Sequence, residues 1–350
     1  MKHDTVLILA STPLHLLDAL ILASSQASKT QHYHLVLVDQ KRRNYYEALH
    51  ALQGALPFES ITLLHLKPRK LLAKIAAKRA NYKLLEALTE EIRPDLVITG
   101  NDRKIEFDYA MRLARRYRPG VSGAYMDDGL HSYIPQPLKW YQYTPLDTWL
   151  QKLLLGRRTP IPRRLGESPL VDRLYLYRPD KACSYLRSKK ALPLDSACLQ
   201  SREMQSALQA IADRVIDIPF TVPKHAALLI LPHPSVKKQI AHYSEIIDRC
   251  FTVLRPLLLK RHPRDTDTAE RMRCEQMPDR GCVVLPSEAA MELLLFLVRP
   301  AKVYGLMSSA LLTLSWIAPE IACSNIRTDT PYDRLFADEG IPNIDIEEII

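Results

Sequence analysis

The 350-residue chain is short of glycine, with 10 in all. It contains no G-x-G-x-x-G and no G-x-x-x-x-G-K-[ST], which argues against a glycine-rich dinucleotide loop. No apolar run approaches the ~20 residues that a membrane span needs. The early run VLILA is too short for a signal peptide and lies between Asp4 and Pro13. It therefore reads as a first buried strand. Six cysteines are present, none in a CxxC pair or at zinc-ligand spacing. They read as reduced thiols in a reducing, cytoplasmic compartment. There is also no zinc finger, RNP motif or basic-aromatic repeat, so the net charge of +9 does not point to nucleic acid.

What is present fits a globular protein of about two domains: 47% hydrophobic and 25% charged residues. A basic balance of this size suits acidic small substrates or an anionic lipid surface. The cations are spread along the chain except in QKLLLGRRTPIPRRL (151–165), where Lys152, Arg157, Arg158, Arg163 and Arg164 occur with no acid.

The first 130 residues alternate between two patterns. Short apolar runs occur at VLILA (6–10), YHLVLVD (33–39), SITLLHL (60–66), DLVITG (95–100) and VSGAYM (121–126). Amphipathic helical stretches separate them. Continuous apolar strands alternating with such helices predict βαβ units around a parallel sheet, a Rossmann-like α/β half. The pattern breaks from about 138 to 180. A second α/β set then follows, with strands expected at AALLILP (226–232), TVLRPLLLKRHP (252–263), CVVLP (282–286) and AKVYG (301–305). Helices are expected at SVKKQIAHYSEIIDRCF, SEAAMELLLFLV and SSALLTLSWIA. Two domains, 1–165 and 166–350, are expected, with a ligand site in the cleft between them at the carboxyl ends of strands.

Four features fall at those strand ends. Ser11-Thr12-Pro13 follows the first strand, as a helix N-cap, a ligand contact or both. Asp127-Asp128-Gly129 follows the fifth; a turn needs only one Asx before the glycine, and a cleft-facing carboxylate suits a general base. His262-Pro263 in LLLKRHPRD has Lys260, Arg261 and Arg264 around it, a setting for phosphate oxygens. Ser308-Ser309 in YGLMSSALL sits at a helix start, where hydroxyls and free backbone N–H groups can cradle a phosphate or simply cap the helix.

In this order, Asp127-Asp128-Gly129, His262-Pro263 and Ser308-Ser309 resemble the D/E-D/E-G, HP and SS motifs of bacterial sialyltransferases. That group includes the polysialyltransferase and lipooligosaccharide sialyltransferase families. LPSEAAMELL resembles the segment that places a glutamate, here Glu292, on the donor ribose. STPLHLL looks like the TP-containing first loop of the lipooligosaccharide group. The resemblance spans both halves of the chain. It implies a GT-B fold of two Rossmann-like domains, a CMP-activated donor held by the C-terminal domain, and no metal or other cofactor. It also implies inverting transfer of sialic acid, or a related nonulosonic acid, to a surface glycan such as lipooligosaccharide or capsule.

Carried over residue by residue, Asp127 is expected as general base with Asp128 supporting it, and His262 acts at the leaving phosphate. Pro263, Arg264, Glu292, Gly305, Ser308 and Ser309 fall on the donor side, and Ser11, Thr12 and Asn101 on the acceptor side. Met126 stands where one subgroup has tyrosine, and nothing fixes the sugar. CMP-Kdo, a UDP- or GDP-sugar, or a non-catalytic glycan-binding role remain alternatives. The segment 145–165, with Trp149 and its leucines beside Lys152, Arg157 and Arg158, reads either as a basic amphipathic helix on the inner membrane face or as a solvated linker helix.

Overall fold

The computed structural model describes residues 4–25, 30–38, 43–64, 71–134, 144–218, 221–223, 225–276 and 281–349. The ends of two expected strands (Asp39; His65 and Leu66) lie outside the described residues, as does much of the stretch before α5. The chain divides into two compact units, Met1–Ala207 and Leu208–Ile350.

The first unit runs β1 (Asp4–Ala10), α1 (Pro13–Ser24), β2 (Gln31–Leu37), α2 (Arg43–Ala51), β3 (Ser60–Leu63), α3 (Leu71–Ile92), β4 (Leu96–Thr99), α4 (Ile105–Tyr117), β5 (Ser122–Met126), α5 (Pro145–Leu155), β6 (Arg173–Leu176) and β7 (Lys190–Pro193). Helix α6 (Arg202–Val215) crosses the division. Among the described residues the sheet has seven strands, ordered β3-β2-β1-β4-β5-β6-β7 and paired in parallel. The strands are covered on both faces, which is why β1 and β4 are apolar without alternation. Leu7, Val36, Val97, Phe107, Met111 and Tyr125 belong to one continuous core. The order reverses between β1 and β4, so the loops after those two strands flank the position where such sheets bind ligands.

The second unit runs β8 (Ala227–Ile230), α7 (Pro234–Lys237), α8 (Tyr243–Val253), β9 (Leu257–Lys260), α9 (Ala269–Glu275), β10 (Cys282–Val284), α10 (Met291–Val298), β11 (Lys302–Gly305), α11 (Ala310–Ile317), β12 (Ala322–Ile326), α12 (Pro331–Asp338) and β13 (Asn343–Ile344). Its six described strands are also parallel, ordered β10-β9-β8-β11-β12-β13. The order reverses between β8 and β11.

Several expectations change. The first unit extends to Ala207 rather than 165, because β6 and β7 continue its sheet beyond β5. TVLRPLLLKRHP is not one strand: Val253 ends α8, and only Leu257–Lys260 is β9. SVKKQIAHYSEIIDRCF is two helices, interrupted where His242 takes a φ of 52°. The six cysteines are not all reduced, since Cys274 and Cys282 form a disulfide. Packing of α9 against β10 brings their Cα atoms to 5.5 Å, within bridging range. Cys183, Cys198, Cys250 and Cys323 are free. No helix among the described residues is long and apolar enough to cross a membrane.

Candidate active site

In the first unit, residues from three strand ends converge. Thr12 caps α1, its hydroxyl accepting from the His15 backbone N–H at 3.2 Å, and Pro13 opens the first turn. This cap holds His15 one turn into the helix, fully buried. Its Nδ1 lies 3.1 Å from Ser11 Oγ and accepts from the Ser11 backbone N–H at 3.3 Å. With Nδ1 accepting, the ring proton sits on Nε2, which donates to Asp128 Oδ1 at 2.9 Å. The ring lies close against Gly100, just past the end of β4. A Cβ on Gly100 would come within 2.1 Å of His15 Nε2, so this histidine needs a glycine there.

Asp127 and Asp128 end β5 as expected but differ in environment. Gly129 takes a φ of 63°, so the motif is a left-handed turn as well as a carboxylate pair. Asp127 is fully buried. Its oxygens accept four hydrogen bonds: from Gly129 N (2.9 Å), Ser132 Oγ (2.9 Å), Tyr177 N (3.1 Å) and the Tyr133 hydroxyl. Burial raises its pKa to about 6, against the opposing pull of the Tyr133, Tyr177 and Ser132 donors. The Tyr177 hydroxyl in turn donates to the buried Asp18 at 2.6 Å, one turn beyond His15 on α1. The Asp128 side chain stays 19% exposed. The open carboxylate of the pair is thus Asp128. Asp127 is closed in by donors from residues that include one 50 positions away. Asn101, beyond Gly100, uses its side chain to accept from Arg103 N at 3.2 Å and so shapes the β4–α4 turn.

A pocket of about 690 Å³ also lies in this unit, bounded by Ser24, Ser25, Gly54, Asp195 and Cys198. None of the candidate residues lines it.

In the second unit, His262 follows β9 as expected, half-buried. Its Nδ1 accepts from the Arg264 backbone N–H at 3.1 Å, which leaves the proton of the neutral ring on Nε2. A second His-Pro pair, His233-Pro234, follows the neighbouring strand β8, and the two imidazoles meet edge-on with centroids 4.6 Å apart. Sequence reasoning missed both His233 and His15. A repeated HP after adjacent strands was the available signal for the first; nothing local marked the second. Burial, His233, Arg264 and Lys260 together push the His262 pKa down to about 4.

The cations around His262 divide. Lys260 is buried and donates to the Arg261 and Ser287 carbonyls at 2.9 and 2.7 Å. Arg261 donates to the Asp265 and Asp267 carbonyls. Both hold the loop. Pro263 and Arg264 are exposed.

Across the reversal in strand order, β11 ends at Gly305, where a Cβ would press to 2.9 Å on Leu311. Ser308 and Ser309 follow at the start of α11, and Ser309 makes no side-chain cap hydrogen bond. Glu292 lies in the first turn of α10, past the end of β10. His262, Glu292 and the serine pair thus all belong to one sheet edge.

Residues 7–324 match the family model "Alpha-2,8-polysialyltransferase (POLYST)". No curated protein sequence matches the chain. Among solved structures, it resembles Glycyrrhiza uralensis UGT73P12 complexed with glycyrrhetinic acid 3-O-monoglucuronide, with a TM-score of 0.55 and 10% identity over 93% of this chain and 76% of that one. A UDP-N-acetylglucosamine 2-epimerase gives a TM-score of 0.54 at 11% identity, covering 99% and 85%. The Neisseria meningitidis UDP-GlcNAc 2-epimerase bound to UDP-GlcNAc gives 0.51 at 15%, covering 99% and 89%. These likenesses bear on the fold alone, the two-domain α/β architecture of GT-B glycosyltransferases and epimerases. Matched to that family model over most of its length, the chain belongs to the alpha-2,8-polysialyltransferase family and is a glycosyltransferase.

Proposed function

We propose that this enzyme transfers sialic acid, or a related nonulosonic acid, from a CMP-activated donor to a sugar hydroxyl of a surface glycan such as lipooligosaccharide or capsule, with inversion. The observation that carries the reading is the Asp127-Asp128 pair ending β5 in a chain of the polysialyltransferase family, with one carboxylate sealed and the other open.

The anomeric carbon of a nonulosonic acid is quaternary, so displacement passes through an oxocarbenium-like state. Asp128 takes the proton of the attacking acceptor hydroxyl. Asp127 fixes the turn that carries it, and His15 orients its carboxylate. The acceptor oxygen bonds to the anomeric carbon as the bond from that carbon to the CMP phosphate breaks. The electron pair leaves with the phosphate, and attack from the opposite face inverts the centre. In the second unit His262 Nε2–H donates to the departing phosphate, Arg264 and the Ser308-Ser309 hydroxyls neutralise it, and Glu292 holds the donor ribose. The reaction uses no metal.

The test is incubation with a panel of CMP-nonulosonates, CMP-Kdo and UDP- and GDP-sugars plus glycan acceptors, in EDTA, read by mass spectrometry. A mass increment of one nonulosonic acid, only with a CMP donor, supports the proposal. Transfer from a UDP- or GDP-sugar instead, or a requirement for added divalent cation, would sink it.

A further inference from the structure

Helix α5 is built as if to be buried, yet none of its residues is. Leu146, Trp149, Leu150, Leu153 and Leu154 recur at i, i+3, i+4, i+7 and i+8, the stripe that a helix normally turns to a core. Here they are 63%, 56%, 40%, 65% and 48% exposed. The helix is nonetheless firmly made. Thr144 and Asp147 close a capping box, Pro145 opens the first turn, and Gly156 ends the helix at a φ of 69°.

It is also firmly mounted. The Tyr82 hydroxyl on α3 donates to the Leu155 carbonyl at 3.0 Å. Just beyond the helix, Arg157 is buried and donates to the Arg103 and Thr159 carbonyls and to Gln151 Oε1. Asp108 accepts from the Arg158 and Thr159 backbone N–H groups. A stripe this apolar, held out on a capped and bolted helix, has an occupant to meet.

Charge identifies the occupant. From Thr148 to Gly166 the chain carries five cations and no carboxylate, and Lys152, Arg158 and Arg163 are exposed. The only acid of α5, Asp147, is spent on the capping box. We infer that α5 and the exposed cations at and after it dock on an anionic lipid surface, with Trp149 and the leucines entering the headgroup boundary and the cations meeting acidic headgroups. A second copy of the same face fits less well, because it would bring like charges to one seam. The Arg157 bond to the Arg103 carbonyl ties the docking helix to the β4–α4 turn, on the sheet edge that carries Asp128 and Ser11. A lipid-anchored acceptor would meet the enzyme at that edge. The inference stands whatever donor the enzyme uses.

The full chain is sedimented with vesicles of phosphatidylcholine alone or with about 30% phosphatidylglycerol, alongside size-exclusion chromatography and circular dichroism. Wild type is expected to pellet with the anionic vesicles and to be released by added salt. The double variant Trp149→Glu/Leu153→Glu should bind at least about tenfold more weakly, and Arg158→Ser/Arg163→Ser should lose several-fold. All four side chains named are exposed, so unchanged circular dichroism is expected. Failure of wild type to pellet, or equal pelleting of the glutamate variant, overturns the inference. So does a concentration-dependent dimer that Trp149→Glu/Leu153→Glu dissolves, which would assign the face to a second copy.

Discussion

His15 Nε2 lies 2.9 Å from Asp128 Oδ1, joining two residues 113 positions apart. The contact holds the open carboxylate of the Asp-Asp-Gly motif to the first loop, and Ser11 fixes the other ring nitrogen. An oriented base loses less entropy on reaching the transition state. His15→Ala is therefore expected to lower kcat by about 10- to 100-fold while leaving the donor KM within about twofold. Steady-state kinetics with the donor varied reads both. A large rise in donor KM with kcat intact would show that His15 serves binding instead.

Asp128→Asn should lower turnover by about 10²- to 10⁴-fold, the range for losing a positioned general base, with CMP binding retained. Asp127→Asn should be the milder of the two in turnover. Single-turnover rates and calorimetric CMP titrations compare them. If Asp127→Asn abolishes transfer and Asp128→Asn does not, the base is Asp127.

Asp127 and Asp102 are both buried carboxyls whose pKa is raised to about 6. A raised folded-state pKa means that the folded protein binds the proton more tightly than the unfolded chain. Each group therefore adds stability below about pH 4 and loses it as pH rises through about 6. Relative to Asp127→Asn or Asp102→Asn, wild type should gain on the order of 3 kcal/mol between pH 6.5 and 4. Urea unfolding across that range measures the difference, and a flat difference would contradict the burial argument.

His262, held down to about 4, is neutral at pH 7 in the free enzyme. Burial is the largest cause of that depression, and the charges of His233, Arg264 and Lys260 add to it; an arriving phosphate opposes those charges and should raise the value. Imidazole NMR titration with and without CMP is expected to show that rise. His233→Ala, which removes one of the depressing groups, should raise the free-enzyme value as well. No CMP-induced shift would separate His262 from the phosphate.

The legible parts of the fold were those whose burial is written locally. β1 to β5 read correctly because continuous apolar runs between amphipathic helices have few other uses. RLYL and KALP, the strands β6 and β7, were missed because they are short and half-exposed, with Pro193 ending the second. TVLRPLLLKRHP read as one strand because apolar residues continue across Pro256, where α8 has already ended. At the site, acids, histidine and serines just past strand ends were visible by position. That Asp127 is sealed was not, since its seal comes from Tyr133 and from Tyr177 on the far side of β6. His15 looked like one more residue of an apolar helix face, and only the bare Gly100 opposite it reveals the fit.

That fit also constrains how the sequence can change. Residues 15 and 100 cannot both carry a side chain of ordinary size while the imidazole keeps its place. A lineage that exchanges both must shrink residue 15 before it enlarges residue 100, so the route between two working sequences is passable in one order and blocked in the other.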